Sequence, residues 1–262
     1  MFHCDSEVGL DQKPVMSFLC KLAVVTVVLV FYDQVNAGEI IGGQEAKPHS
    51  RPYMALLRRN ASQNQVLFCD GLLLDEDFVM TAAHCQAEFI TVLLGLHDMN
   101  DKKNVQEITV KEEFPHKDYN KHGFVNDLMV LKLSSKAQIN DYVKPVDLAD
   151  HSSPVPQHCI VSGWGKTSMN DKHLSTKLME VEVTLIRDKN CEDQYFFCSE
   201  GKAGPASGDS GGPLVCEGGV AYGVVSSFYT PPSGGKNLYL FAKISDQKQW
   251  ITSTMEESLI KH

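Results

Sequence analysis

The sequence is short of positive charge, of long apolar runs and of metal-ligand spacings, and each shortage removes a class of function. Lys and Arg number 24 against 33 Asp and Glu, a formal net charge of −9. From Ile40 onward the balance is 22 against 28. Such a surface has no electrostatic reason to bind nucleic acid or an anionic membrane. The apolar run 22–32 has eleven residues, whereas a bilayer-spanning helix needs about 20. No CxxC pair or His/Cys cluster has zinc-site spacing, so no metal is expected, and no cofactor either. Internal repeats and low-complexity tracts are absent. What is present is an ordinary globular composition, 43% hydrophobic and 22% charged over 262 residues. That suits one large β domain or two small ones.

The start of the chain reads as a targeting segment. Lys21 precedes the apolar run, and Val35-Asn36-Ala37 resembles a small-residue signal-peptidase site. Residues 1–37 are therefore expected to be a leader and the mature form to have no membrane partner. Asp5, Glu7 and Asp11 give the first residues the wrong charge for a signal peptide, which makes Met16 the expected functional start. A chain on the secretory route can form disulfides. Of eight cysteines, Cys4 and Cys20 fall in the leader. Cys69, Cys85, Cys159, Cys191, Cys198 and Cys216 remain, an even set for which count alone leaves about fifteen pairings open. Asn60-Ala61-Ser62 is an N-glycosylation sequon in a polar stretch.

Short β-rich runs separated by Gly, Pro, Asn or Asp dominate the rest. Strands are expected at 53–57, 65–74, 78–81, 89–96, 106–114, 128–133, 158–162, 179–186, 212–216, 220–227 and 238–244. That spacing argues for an all-β sandwich or barrel. One helix is expected, at about 246–260, capped by Ser245 and with Trp250, Ile251 and Met255 on one face. The segment 141–155, rich in Pro, Asp and His, reads as a connector between two halves.

Three short motifs carry chemistry. In Gly208-Asp209-Ser210-Gly211-Gly212-Pro213 the glycines allow a tight turn, so a hydroxyl and neighbouring N–H groups can face one point. Serine alone is a poor nucleophile and needs a base, which in turn needs an orienting acid. Thr81-Ala82-Ala83-His84-Cys85 and Asn126-Asp127-Leu128-Met129 offer both. Any one of these alone is better explained as a turn, a core histidine or a capping aspartate; the set in the order His, Asp, Ser points to a hydrolase.

With Ile40-Ile41-Gly42-Gly43 and Ser162-Gly163-Trp164-Gly165 added, the landmarks resemble those of the chymotrypsin-fold serine proteases over all of 40–262. Pro48-His49-Ser50-Arg51-Pro52-Tyr53 and the dipeptide Gly38-Glu39 are similar to the granzyme and mast-cell protease branch. The resemblance implies an all-β fold of two six-stranded antiparallel Greek-key barrels with a C-terminal helix. The first barrel would lie at about 40–140 and the second at about 155–245. It implies a secreted or granule-stored endopeptidase in which Ser210 is the nucleophile, His84 the base and Asp127 its orienting acid. The N–H groups of Gly208 and Ser210 would form the oxyanion hole. Removal of Gly38-Glu39 by a dipeptidyl peptidase would free the Ile40 amine to pair with Asp209, making the uncut chain a zymogen. Implied partners are protein or peptide substrates and protein protease inhibitors. The implied disulfides are Cys69–Cys85, Cys159–Cys216 and Cys191–Cys198.

Two departures bear on specificity. Gly204 stands at the pocket base, so no carboxylate awaits an Arg or Lys side chain and trypsin-like cleavage is disfavoured. Ser226-Ser227-Phe228 and Tyr239 put bulky rings at or near the pocket wall, which implies a shallow or closed pocket unless the alignment slips near Tyr229-Thr230-Pro231-Pro232. A shortened loop, Glu192 to Phe197, separates Cys191 from Cys198. It puts at stake the wall of the outer subsites and the pairing of the second barrel. A competing reading is a protease-fold binding protein whose substrate pocket is occluded.

Overall fold

In the computed structural model the described residues are 40–60, 65–168, 170–187, 195–231 and 235–260. The expected leader, the dipeptide Gly38-Glu39 and Met16 lie outside them.

Thirteen strands and one helix make up this part of the chain. Strands β2 (Met54–Asn60), β3 (Val66–Leu73), β4 (Phe78–Thr81), β5 (Phe89–Leu94), β6 (Gln106–Pro115) and β7 (Met129–Leu133) close an antiparallel barrel in the order β2-β3-β4-β7-β6-β5. Its interior is aliphatic and aromatic, with Leu57, Leu72, Phe78, Val92 and Leu131 buried together. Strands β8 (His158–Gly163), β9 (Met179–Ile186), β10 (Phe196–Gly201), β11 (Pro213–Cys216), β12 (Ala221–Tyr229) and β13 (Asn237–Lys243) form the second sheet. The pairing of β8 with β9 closes that sheet into a second barrel. Strand β9 shows how the sequence sets its own faces. Met179, Val181 and Val183 alternate with Glu180, Glu182 and Thr184, and the first set is buried. Two such barrels are a chymotrypsin-like fold.

Three details differ from the sequence expectation. Strand β10, which begins inside the shortened loop, was not expected; it pairs with β13 along its whole length and with the end of β9. The short loop therefore leaves the second barrel closed. Strand β1 (Gln44–Glu45), from the segment counted with the first barrel, instead joins β9 at the edge of the second sheet. Ser245 does not cap the helix. It starts a single 3-10 turn, Ser245–Gln247, whose cap residue Ile244 makes no side-chain hydrogen bond. The α-helix α1 (Lys248–Ile260) follows. Ile251 is buried and Trp250 and Met255 pack beside it against the first-barrel core. Lys132 of β7 donates to the carbonyl of Ser258, tying the helix down near its end.

Cys69 and Cys85 are joined, as are Cys159 and Cys216. Cys198 is disulfide-bonded, and its expected partner Cys191 lies outside the described residues. Asn60 is exposed at the end of β2, while Ala61 and Ser62 of its sequon lie outside the described residues.

Candidate active site

The fold brings His84, Asp127 and Ser210 to one junction, each on a short non-strand segment. His84 sits in a single 3-10 turn, Ala83–Cys85, directly after β4, and the Cys69–Cys85 bridge anchors that turn to β3. Asp127 lies two residues before the start of β7 and is wholly buried. Its carboxylate takes three donors: the His84 N–H at 2.9 Å, His84 Nδ1 at 2.7 Å and the Ser226 hydroxyl at 2.6 Å. The contact to Nδ1 fixes the imidazole so that its other nitrogen is the one left for a substrate-side proton.

Ser226 reaches Asp127 because β12 is irregular there. Val225 pairs with Phe241 and Ser227 with Leu240, so Ser226 is the extra residue of a bulge. Sequence reasoning assigned Ser226 to the pocket and missed this hydrogen bond to the acid. Neither residue's local sequence signals it, since the two are 99 positions apart.

Ser210 lies in the turn before β11. Its carbonyl accepts the Asp70 N–H at 2.7 Å and lies 3.7 Å from Cys85 Sγ, which sets the serine beside the histidine turn. The turn is glycine-bound for steric reasons. Gly211 has φ +84°, and a Cβ there would come within 2.4 Å of the Asp70 carbonyl oxygen. Gly208 has φ +109°, and its added Cβ would lie 2.9 Å from the Cα of Gly165. Within the turn the Asp209 N–H donates to Ala206 and the Gly211 N–H to Val225. The N–H groups of Gly208 and Ser210 donate to no acceptor among the described residues.

Asp209 is buried with its carboxylate accepting the Gly165 and Ala206 N–H groups, each at 2.7 Å. Burial pushes its pKa up to about 6, against the pull of those two hydrogen bonds. Ile40 is also buried, with φ +84°; its carbonyl accepts the Gly43 N–H and the next carbonyl, of Ile41, accepts the Gly204 N–H at 2.9 Å.

Of the residues expected to line a specificity pocket, Tyr239 is 1% exposed, and a Cβ on Gly204 would lie 2.4 Å from its ring carbons Cε2 and Cζ. The ring therefore lies directly on Gly204. Its hydroxyl accepts a hydrogen bond from Asn237 Nδ2 at 3.2 Å, and burial raises its pKa. Phe228 pairs with Tyr239 across β12 and β13 and is 41% exposed.

Among the described residues, Cys69, His84 and Cys85 form the group whose potential ligand atoms converge. The two cysteines are bonded to each other, so neither offers a thiolate.

Two closed barrels with a histidine, an aspartate and a serine at their junction define the class as a chymotrypsin-like hydrolase. The family model described as Trypsin matches residues 40–251, and the chain belongs to that family. It is 40% identical over 255 residues to granzyme B(G,H) of Mus musculus, covering 91% of this chain and 100% of the relative. It is 43% identical to granzyme B of Rattus norvegicus, covering 86% and 94% of the two chains. Mast cell protease 8 of Mus musculus is 42% identical, with 88% and 96% covered. Among solved structures, that of GrC superposes with a TM-score of 0.75 at 35% identity, covering 83% of this chain and 100% of the other. Neuropsin, a serine protease of mouse brain, gives 0.72 at 33% identity, with 81% and 98% covered. The protein is thus a serine endopeptidase, and its substrates are proteins.

Proposed function

We propose that the enzyme cleaves through Ser210, His84 and Asp127 after removal of Gly38-Glu39, and that it accepts only small side chains at P1. The observation that carries this reading is the Asp127 carboxylate, held by three donors and directly on His84 Nδ1. Ser210 Oγ attacks the scissile carbonyl while His84 Nε2 takes its proton and later delivers it to the leaving amine. Asp127 stabilises the imidazolium formed between these steps. The carbonyl oxygen, as it becomes an oxyanion, is received by the Gly208 and Ser210 N–H groups, which have no acceptor among the described residues. Water then repeats the sequence on the acyl-enzyme.

Activation follows from Asp209. In the uncut chain the Ile40 nitrogen is part of a peptide bond and brings no charge to this buried carboxyl. A cut after Glu39, by a dipeptidyl peptidase acting on the secretory route, creates an α-ammonium there. Pairing it with Asp209 fixes the loop that bears the oxyanion donors. The mature protein is secreted or stored in granules and is open to protein protease inhibitors. No helix among the described residues is long and apolar enough to cross a membrane.

The reading is tested with a fluorophosphonate probe on the correctly cut, folded protein. Labelling is expected at Ser210 and is lost in Ser210→Ala; absence of labelling in the unaltered protein sinks the proposal. The Tyr239 ring on Gly204 favours a second reading, a protease-fold binding protein with an occluded pocket. That reading predicts probe labelling without turnover of any member of a peptide library.

A further inference from the structure

Asp70 is a buried carboxyl that the reaction outlined above leaves unused. It lies on β3 one residue after Cys69 and is wholly inaccessible. Its main chain already serves the site, since its N–H holds the Ser210 carbonyl and its own carbonyl accepts the Thr81 hydroxyl, both at 2.7 Å. Its side chain points the same way. Oδ2 accepts the Trp164 N–H at 3.2 Å, and Oδ1 is buried with no hydrogen-bond partner. Asp70 Oδ2 and Asp209 Oδ1 each lie 2.2 Å from the point a Cβ on Gly163 would occupy, so the two oxygens are separated by no more than twice that distance.

Among the described residues of the uncut chain, the segment after β8 presents the backbone N–H groups of Trp164 and Gly165 to the two carboxyls, and the turn before β11 presents that of Ala206. Thr81 on β4 addresses the Asp70 carbonyl, not its carboxyl. Among the described residues the charge acting on Asp70 is that of Asp209 itself, and no cationic side chain pairs with either. Two facing carboxylates in a dry site cannot both ionise at ordinary pH, whereas a protonated carboxyl becomes a donor that its neighbour can accept.

We propose that in the uncut chain Asp70 is a positioning residue for the turn carrying Gly208 and Ser210, holding a single proton jointly with Asp209 until the Ile40 ammonium takes that place. The role of the turn rests on the reading of Ser210 as nucleophile; the shared proton does not. When the proton leaves to solvent, two like charges remain in one cavity. Their repulsion moves Asp209, whose next residue is Ser210, and moves Asp70, whose N–H holds the Ser210 carbonyl. Burial already drives the Asp70 pKa well above the usual carboxylate range, with the Asp209 charge adding to it. The titration belongs to the pair rather than to either residue.

The test compares the uncut folded protein with Asp70→Asn, whose carboxamide copies the shape of the neutral acid. The unfolded chain has lost this proton by about pH 5, so each further pH unit lowers the folding constant by about 10-fold while the folded pair keeps it. Above about pH 5 the native protein is therefore expected to lose stability to urea with one proton more of slope than Asp70→Asn for as long as the folded pair keeps that proton. Infrared spectra at neutral pH should show a protonated buried carboxyl in the native protein that the variant lacks. Equal slopes, or no protonated carboxyl, overturn the proposal. If Asp70→Asn does not fold, the native infrared spectrum decides alone. A protein that labels at no pH would refute the catalytic reading, and the slope and the spectrum would still judge the shared proton.

Discussion

Asp127 and Asp209 are both completely buried at the junction of the barrels, yet their surroundings are opposite. Asp127 receives an N–H, an imidazole nitrogen and a hydroxyl, two of them from side chains. Asp209 receives only two peptide N–H groups and has a second acid, Asp70, beside it. The first carboxylate is complete in the uncut chain; the second lacks a positive charge. The contrast teaches that the two halves of the proposed site are set at different times. On that proposal the base and its orienting acid are assembled by folding, while the oxyanion side is completed by cleavage at the N-terminus.

The largest effect is expected from breaking the complete side. Asp127→Asn removes the acceptor that holds the His84 tautomer and should lower kcat by about 10⁴ with folding retained, measured on the peptide substrate a library scan selects. Breaking the other side should cost less: Asp209→Asn in the cut enzyme leaves the new ammonium unpaired and the oxyanion donors loose, a loss of about 10²–10³ in kcat. If both variants lost activity equally before and after N-terminal cutting, the proposed difference in timing would be wrong.

The same contrast can be read without catalysis, through pH. The folded-state pKa of Asp209, about 6, is raised by burial above its ordinary value of 3.8. Its contribution to stability is therefore full below about pH 4 and is lost as pH rises through about 6, roughly 3 kcal/mol in all. Thermal unfolding of the uncut protein should show this decline, and Asp209→Asn should flatten it over that interval. The smallest effect concerns the pocket. Tyr239→Gly removes the ring from Gly204 and should raise kcat/KM for larger apolar P1 residues by about 10–100-fold, leaving small P1 substrates nearly unchanged. A substrate profile unaltered by this change would show that the ring does not set the preference.

The site was legible where chemistry depends on adjacent residues and illegible where it depends on the junction. Ser210 with its glycines, His84 beside Cys85, and Asp127 each stand in a short motif that the chain cannot disguise. Ser226's hydrogen bond was not legible, because a bulge in β12 turns it toward a residue in the other barrel. Asp70 was hidden for a related reason. In Phe68-Cys69-Asp70-Gly71-Leu72 a single acid within an apolar run reads as the solvent side of a strand. Here that side is covered by Trp164 and Asp209 from the second barrel. Most strands were found to within a few residues because their apolar runs end in Gly, Pro, Asn or Asp. Strand β10 was overlooked because the interval Glu192 to Phe197 looked like a loop, and its order comes from pairing with β13.

The hydrogen bond from Gly204 N–H to the Ile41 carbonyl gives the molecule an economy of parts. The peptide just past the proposed cleavage point is bonded to the floor on which the Tyr239 ring rests. On the proposed reading, maturation and substrate choice share one piece of backbone. A change in how the new N-terminus seats itself would be felt as a change in what the enzyme cuts, and an inhibitor lodged deep in the pocket would press on the same seat from the other side.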